Sequence, residues 1–292
     1  MVNNPRGNPI VKIDLDSAYY PESLREIKNK PRQLYCCGDL SLLSSRCMGI
    51  VGSRKYTVYG KQVARMVGRR LAENGVTIVS GLAAGIDTFA HEGTLEAEGK
   101  AIAVLGTGIN RMYPVKNQEL MEKICRTGLV ISEYEPDFQG RKESFPARNR
   151  IIAGLSEGLV VIEANFKSGS LITAEFAMEQ NKTIYAVPGN INSQFSMGTN
   201  LLIRDGATPL VVIDDILHDM GISPRIIKDE DNNSYGKDEI EALRVLSRCN
   251  GMSVDALAKE LQRRVPEVNS LVTILEIKGA VFLYAGKIHL AK

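Results

Sequence analysis

The 292-residue chain has little of what would tie it to a membrane, a metal or an oxidising compartment. No apolar run approaches the roughly 20 residues of a membrane-spanning helix. The N-terminal Met1-Val2-Asn3-Asn4-Pro5 has no apolar segment of the signal-peptide kind. A soluble, cytoplasmic protein is therefore expected. The five cysteines (Cys36, Cys37, Cys47, Cys125, Cys249) are odd in number and include no C-x-x-C pair, which favours reduced thiols over a disulfide framework. The three histidines (His91, His218, His289) are far apart and give no metal-ligand spacing. An excess of one charge is missing too: 36 Lys and Arg against 34 Asp and Glu leave a formal +2. No global positive field exists, so any nucleic-acid site must be a local patch.

Familiar catalytic signatures are also lacking. No G-x-G-x-x-G opens a helix after the first regular strand, and the second ends in Val79-Ser80 without the acid that holds a ribose. That argues against a nicotinamide enzyme. The nearest approach to a Walker A, from Gly93 to Gly99-Lys100-Ala101, has the wrong spacing and Ala where Ser or Thr should hold magnesium. Ser80 and Ser132 stand in no G-x-S-x-G elbow. Asp87 suits the cap of a helix beginning near Thr88, and His91-Glu92 lacks the second histidine of a zinc-hydrolase motif. Glu163 and Glu175 are the acids left as candidates for chemistry. No cofactor is expected.

What the chain does have is a repeated alternation of short β-rich runs and helical stretches. The runs are 48–51, 76–80, 101–105, 129–132, 159–162, 183–187 and 210–213, and the clearest helical stretches are 59–74, 117–126, 146–156 and 170–181. Such alternation predicts an α/β fold: a Rossmann-like three-layer domain with a mostly parallel sheet over residues 46–227. Residues 1–45 read as an extension packed on it, with a helix at 22–29 and a strand at 33–36. A charged, Asn-rich stretch at 228–236 reads as a linker. Residues 237–292 follow with helices at 239–247, 253–261 and 266–278 and a hairpin at 280–283 and 287–290, the order of a winged helix.

Function is concentrated at the predicted strand ends. In an open parallel sheet, ligands bind at the carboxyl edge, where helix N-termini present their amides. Small and basic residues collect there: Gly52-Ser53-Arg54, Ser80-Gly81, Gly106-Thr107-Gly108 and Lys167-Ser168-Gly169-Ser170. Glycines let a backbone approach phosphates closely. The run Phe145-Pro146-Ala147-Arg148-Asn149-Arg150, preceded by Arg141-Lys142, adds an aromatic ring among cations. Arginines at a helix N-terminus oppose the macrodipole, and an anionic ligand would resolve that conflict. Cations beside an exposed ring suit a phosphodiester chain with bases free to stack.

These blocks, together with Leu82-Ala83-Ala84-Gly85-Ile86-Asp87, Leu171-Ile172-Thr173-Ala174, Ala186-Val187-Pro188-Gly189 and residues 200–207, resemble the DNA-processing protein A family in order over about residues 20–220. The resemblance implies an extended Rossmann-like domain that binds single-stranded DNA, forms a homodimer, protects incoming DNA and helps load RecA recombinase during natural transformation and recombination, without being an enzyme. On the family pattern, Arg54, Lys142 and Phe145 match DNA-contacting positions, and Arg148, Asn149, Ser168, Gly169 and Ser170 share their groove. Gly52, Ser53, Gly81, Arg150 and Lys167 complete the candidate set. Self-association is expected through the second half of the domain, with Met178, Leu201, Leu202 and Ile203 the first apolar positions to try; a buried face for the last three is an equal alternative.

The N-terminal helical module of some family members is not expected here. Its last helix carries Glu267 and Glu276 against Lys278 alone, poor complements to a phosphate-lined groove, so an accessory or protein-contact role suits this module better. The rival reading is a nucleotide phosphoribohydrolase-type enzyme on a related fold, with Gly169–Glu175 as phosphate loop and acid. That family needs Pro-Gly-Gly where this chain has Lys167-Ser168-Gly169. A nucleotide-sensing module is a weaker third reading.

Overall fold

The computed structural model describes residues 2–3, 9–224, 235–249 and 251–290. The chain divides into two compact units, residues 1–220 and 221–292. Positions 228–234 of the expected linker lie outside the described residues.

Unit one is built on a ten-stranded sheet. Its strands are β1 (Val2–Asn3), β2 (Pro9–Asp14), β3 (Gln33–Gly38), β4 (Cys47–Val51), β5 (Thr77–Ser80), β6 (Ala101–Val104), β7 (Leu129–Ser132), β8 (Gly158–Val161), β9 (Thr183–Ala186) and β10 (Thr208–Pro209). Every residue of β4 through β8 is buried, which is why the sequence shows apolar runs there and no alternation. The spatial order is β1-β2-β3-β7-β6-β5-β4-β8-β9-β10. The strands from β7 to β10 in that order run parallel, and β1, β2 and β3 add an antiparallel flank.

Helices cover both faces. They are α1 (Glu22–Arg25), α2 (Val58–Glu73), α3 (Ile86–Glu96), α4 (Gln118–Thr127), α5 (Ser144–Leu155), α6 (Gly169–Glu179), α7 (Met197–Arg204) and α8 (Asp214–Asp219). From β4 the chain winds through α2, α3 and α4 toward β7. It then returns through α5 to β8, on the far side of β4. Right-handed crossovers taken in opposite directions put α2–α4 on one face and α5–α6 on the other. Ile151, Ile152, Ala174 and Ala177 share their core with Tyr20, Leu24 and Ile27 of the N-terminal segment. Burying each large side chain there contributes about 1.5–3 kcal/mol. Winding reverses between β4 and β8, the topological switch point where open sheets leave a crevice.

Sequence and structure differ at the edges. The run 210–213 is no strand: the ladder ends at Pro209, Val211 is 76% exposed, and residues 211–213 turn into α8. Its first turn carries Asp214 and Asp215, favourable at a helix N-terminus. The expected helix at 22–29 stops at Arg25. Strand β2 passes unnoticed in the sequence because only Ile10 and Ile13 of its six residues are buried.

Unit two contains α9 (Lys237–Arg248), α10 (Val254–Glu260), α11 (Val265–Ile277) and the hairpin β11 (Val281–Tyr284) and β12 (Lys287–Leu290). Leu246, Leu257, Leu271, Leu275 and Ile288 form its own core. Ser253 caps α10 by accepting from the Ala256 amide at 3.2 Å. Ala285 and Gly286, both at positive φ, make the two-residue turn that right-twisted strands favour. Since each unit holds its own core, a chain ending at Met220 is expected to give one cooperative thermal transition with its sheet signature intact. A molten product lacking that transition would show that unit one depends on residues beyond 220.

Candidate functional site

The loops after β4, β5 and β6 and the first turn of α5 enclose a shallow pocket at the carboxyl edge of the sheet. Its lining includes Arg54, Gly81, Tyr113, Phe145 and Arg148. The Phe145 ring is half-buried, with its centroid 5.4 Å from that of Tyr113, which is 56% exposed. The Arg54 guanidinium lies 5.8 Å from the Phe145 centroid, within cation–π range. Arg54, Arg141, Lys142 and Lys167 are all exposed and, among the described residues, make no ion pair. Arg141 lies 6.0 Å from the Phe138 ring. The pocket thus sets two aromatic rings beside the Arg54 guanidinium.

Arg148 plays a different part. It is 4% exposed, and its guanidinium donates to the carbonyls of Gly81 (2.7 Å) and Val104, at the ends of β5 and β6. Its Nε donates to Asn149 Oδ1 at 3.0 Å, and Asn149 Nδ2 in turn donates to the Gly169 carbonyl at 3.3 Å. Asp87, also buried, accepts the amides of Gly81 and Ala83 at 3.1 and 3.4 Å. Asp87 therefore braces the loop before α3, which already begins at Ile86, instead of capping it as the sequence suggests. Burial raises the Asp87 carboxyl above its ordinary pKa, against the pull of Arg148. Burial also lowers the Arg148 guanidinium to about 10, with Asp87 opposing. His91, fully buried beneath them, is pushed down to about 3 by desolvation. The Ser80 carbonyl draws its pKa the other way, yet neither ring nitrogen has a hydrogen bond of good geometry.

Arg150 turns away from the pocket. It forms a two-pronged pair with Glu133, both contacts at 2.7 Å, and donates to the Asn29 and Ala147 carbonyls. The sequence reading grouped Arg148 and Arg150 as helix-terminal cations awaiting an anion. The protein's own carbonyls and carboxylates occupy both, because α5 starts at Ser144 and carries them past its first turn.

The glycines likewise serve packing. At Gly81 a Cβ would strike the Arg148 guanidinium, at Gly106 the Phe145 ring, and at Gly52 the Ile86 side chain. Gly169 has open space around its Cβ position. It opens α6, where Ser168 and Ser170 hydroxyls lie 2.8 Å apart and Ser168 accepts the Ser170 amide at 3.4 Å. Across the switch point, buried Glu163 accepts the Thr57 hydroxyl and its amide, the latter at 3.0 Å. Its carbonyl accepts the Ser53 amide at 2.7 Å, fixing the loop that carries Arg54. Glu175 is exposed on α6. Ser80 and Ser132 donate their hydroxyls to the Ile50 and Thr107 carbonyls, each at 2.6 Å, so neither is poised as a nucleophile.

Tyr113 and Asp87 are the site residues whose roles the sequence did not disclose. Tyr113 sits in an irregular βα loop with no periodicity, and it meets Phe145 only through the fold. Met178 is 51% exposed on α6, while Leu201, Leu202 and Ile203 are half-buried on α7, with Leu202 packed against the sheet core.

Two consequences are measurable. Arg148→Ala leaves two buried carbonyls without their donor and removes the positive charge near Asp87, and should cost about 1–3 kcal/mol in urea unfolding. Arg54→Ala and Lys142→Ala, on exposed loops, should stay within about 0.5 kcal/mol of the parent. Equal stability of all three would refute the buried role. For His91, the folded value lies below the unfolded one of about 6.5. The unfolded state binds the extra proton, so stability falls as pH drops below about 6.5 toward 3. Asp87, raised in the folded state, works in the opposite sense at the acid end. Comparing His91→Met with the parent across pH isolates the histidine: the variant should lose the decline that begins near 6.5, and an unchanged profile would contradict it.

Residues 12–221 match the family described as DNA recombination-mediator protein A. Protein Smf of Escherichia coli is 36% identical over 282 residues, spanning 94% of this chain and 75% of that protein. The crystal structure of DNA processing protein A from Streptococcus pneumoniae is 44% identical, with a TM-score of 0.69 over 72% of this chain and 74% of that one. DNA processing protein A from Helicobacter pylori, studied for its single-stranded DNA binding mode, is 33% identical, with a TM-score of 0.67 over 73% of this chain and 96% of that one. With more than half its length matched, the chain belongs to the DNA recombination-mediator protein A family.

Proposed function

We propose that this protein binds single-stranded DNA at the switch-point edge, without catalysis, and acts as a homodimer that protects incoming strands and hands them to RecA recombinase during natural transformation and recombination. One observation carries the binding step: the Phe145–Tyr113 ring pair shares its pocket with Arg54, and the segment leading into α5 exposes Arg141 and Lys142, none of the three in an ion pair among the described residues. Exposed bases can stack on the rings while the cations meet phosphates; a duplex keeps its bases stacked inside. The Helicobacter relative's single-strand binding supports the same ligand class. Met178, Leu201 and Ile203 are the apolar positions we assign to self-association, Leu202 being drawn toward the core.

Unit two we read as a winged helix with an accessory or partner-contact role. On α11, Glu267 pairs with Arg264, and Lys278 just beyond it pairs with Glu239 at 2.7 Å, so neither base is a free phosphate ligand. A cytoplasmic setting agrees with the odd cysteine count and the lack of a C-x-x-C pair.

Oligo-dT titration at several salt concentrations tests the binding reading. The parent should bind single strand well above duplex. Arg54→Ala and Lys142→Ala should each make the log K against log salt slope shallower by about 0.7, one phosphate's worth. Phe145→Ala should lose about 1–3 kcal/mol with the slope unchanged, since stacking releases no counterions. Equal affinity for duplex, or a Phe145→Ala slope change matching that of Arg54→Ala, would contradict the assignment. Ile203→Glu should sediment as a folded monomer if the interface is placed correctly.

A further inference from the structure

The switch-point loop carries a second ring beyond Arg54. Tyr56 is 43% exposed and stands edge-on to Phe89 of α3, with centroids 4.7 Å apart and planes at 78°. Phe89 is itself buried, so it anchors Tyr56 from the protein side while much of the Tyr56 ring stays in contact with solvent. The Lys61 ammonium, from the first turn of α2, lies 5.1 Å from the Phe89 centroid. Lys55 is exposed between Arg54 and Tyr56. Among the described residues neither Lys55 nor Lys61 has an ion-pair partner, and the nearby α3 carboxylates Glu92 and Glu96 are both engaged by Arg65.

This cluster lies on the α2–α3 side of the sheet edge, whereas Phe145 belongs to α5 on the opposite face. Arg54 sits between them. Tyr56 follows Arg54 by two residues, so their backbones lie within about 7 Å, and the Arg54 guanidinium is 5.8 Å from the Phe145 ring. Resting on the single-strand reading above, we propose that the bound strand crosses the sheet edge at Arg54 and stacks a further base on Tyr56, with Lys55 and Lys61 meeting the following phosphates. The ring, the cations and the continuity with the Phe145 pocket are what a sequence-tolerant single-strand track requires.

The full-length protein is titrated with a short oligo-dT of about four nucleotides and a long one of about sixteen. Tyr56→Ala should weaken the long oligomer about tenfold and leave the short one unchanged, whereas Arg54→Ala weakens both. Tyr56→Phe, which keeps the ring, should bind like the parent. Lys61→Gln should make the long-oligomer salt slope shallower by about 0.7 and leave the short-oligomer slope alone. Circular dichroism confirms folding, and if Tyr56→Ala unfolds, Lys61→Gln decides the matter. Parental binding of the long oligomer by both variants overturns the extended track. Equal loss for short and long shows that Tyr56 acts only by shaping the Arg54 loop, which also overturns it. Failure of the parent to bind either oligomer overturns the single-strand reading itself.

Discussion

A guanidinium buried at the carboxyl edge of the sheet organises everything above it. Arg148 ties the last carbonyls of β5 and β6 together and reaches α6 through Asn149, while Asp87 takes the amides of the same β5 loop. A charge so far from water is tolerated only with its hydrogen bonds filled and a counter-charge near. That requirement fixes Gly81, whose missing side chain makes room for the guanidinium. It also explains a rigid floor beneath a pocket made otherwise of loops. Preorganised loops spare the ligand the ordering entropy that binding would otherwise cost.

The basic residues thus separate into two groups that composition cannot distinguish. Arg148 and Arg150 are spent on carbonyls and on Glu133, and they hold α5 against the sheet. Arg54, Arg141, Lys142 and Lys167 remain exposed and, among the described residues, outside any ion pair. With a net charge of only +2 the protein has no long-range field to gather anions, so the proposed strand binding depends on these local cations. Glu163 serves this from below by holding the Thr57 end of the Arg54 loop across the switch point.

Much of this was legible in the sequence. The buried strands β4 to β9 declare themselves as apolar runs, and the run 145–156 marks α5 and the aromatic of the pocket. The edges were harder: β2 shows only two buried residues, and 210–213 is apolar without being a strand. Within the site, Arg54, Lys142 and Phe145 could be named because glycine-rich strand ends and a ring among cations are local patterns. The inward turn of Arg148 could not, since it depends on carbonyls 67 and 44 positions away. Nor could the pairing of Tyr113 with Phe145, two residues in separate loops joined only by the fold. The glycines illustrate the same limit. Sequence marks them as places of close approach, and the structure shows that at 52, 81 and 106 the approaching atoms are the protein's own.

Hydrogen exchange of the full-length protein, free and saturated with oligo-dT, reports which edge of the molecule the strand occupies. The account predicts slowed exchange in the loops 52–57 and 105–114 and in the segment 141–148, with the amides of 237–290 unchanged. Protection confined to 237–290, or none at the switch-point edge under saturating ligand, would contradict it.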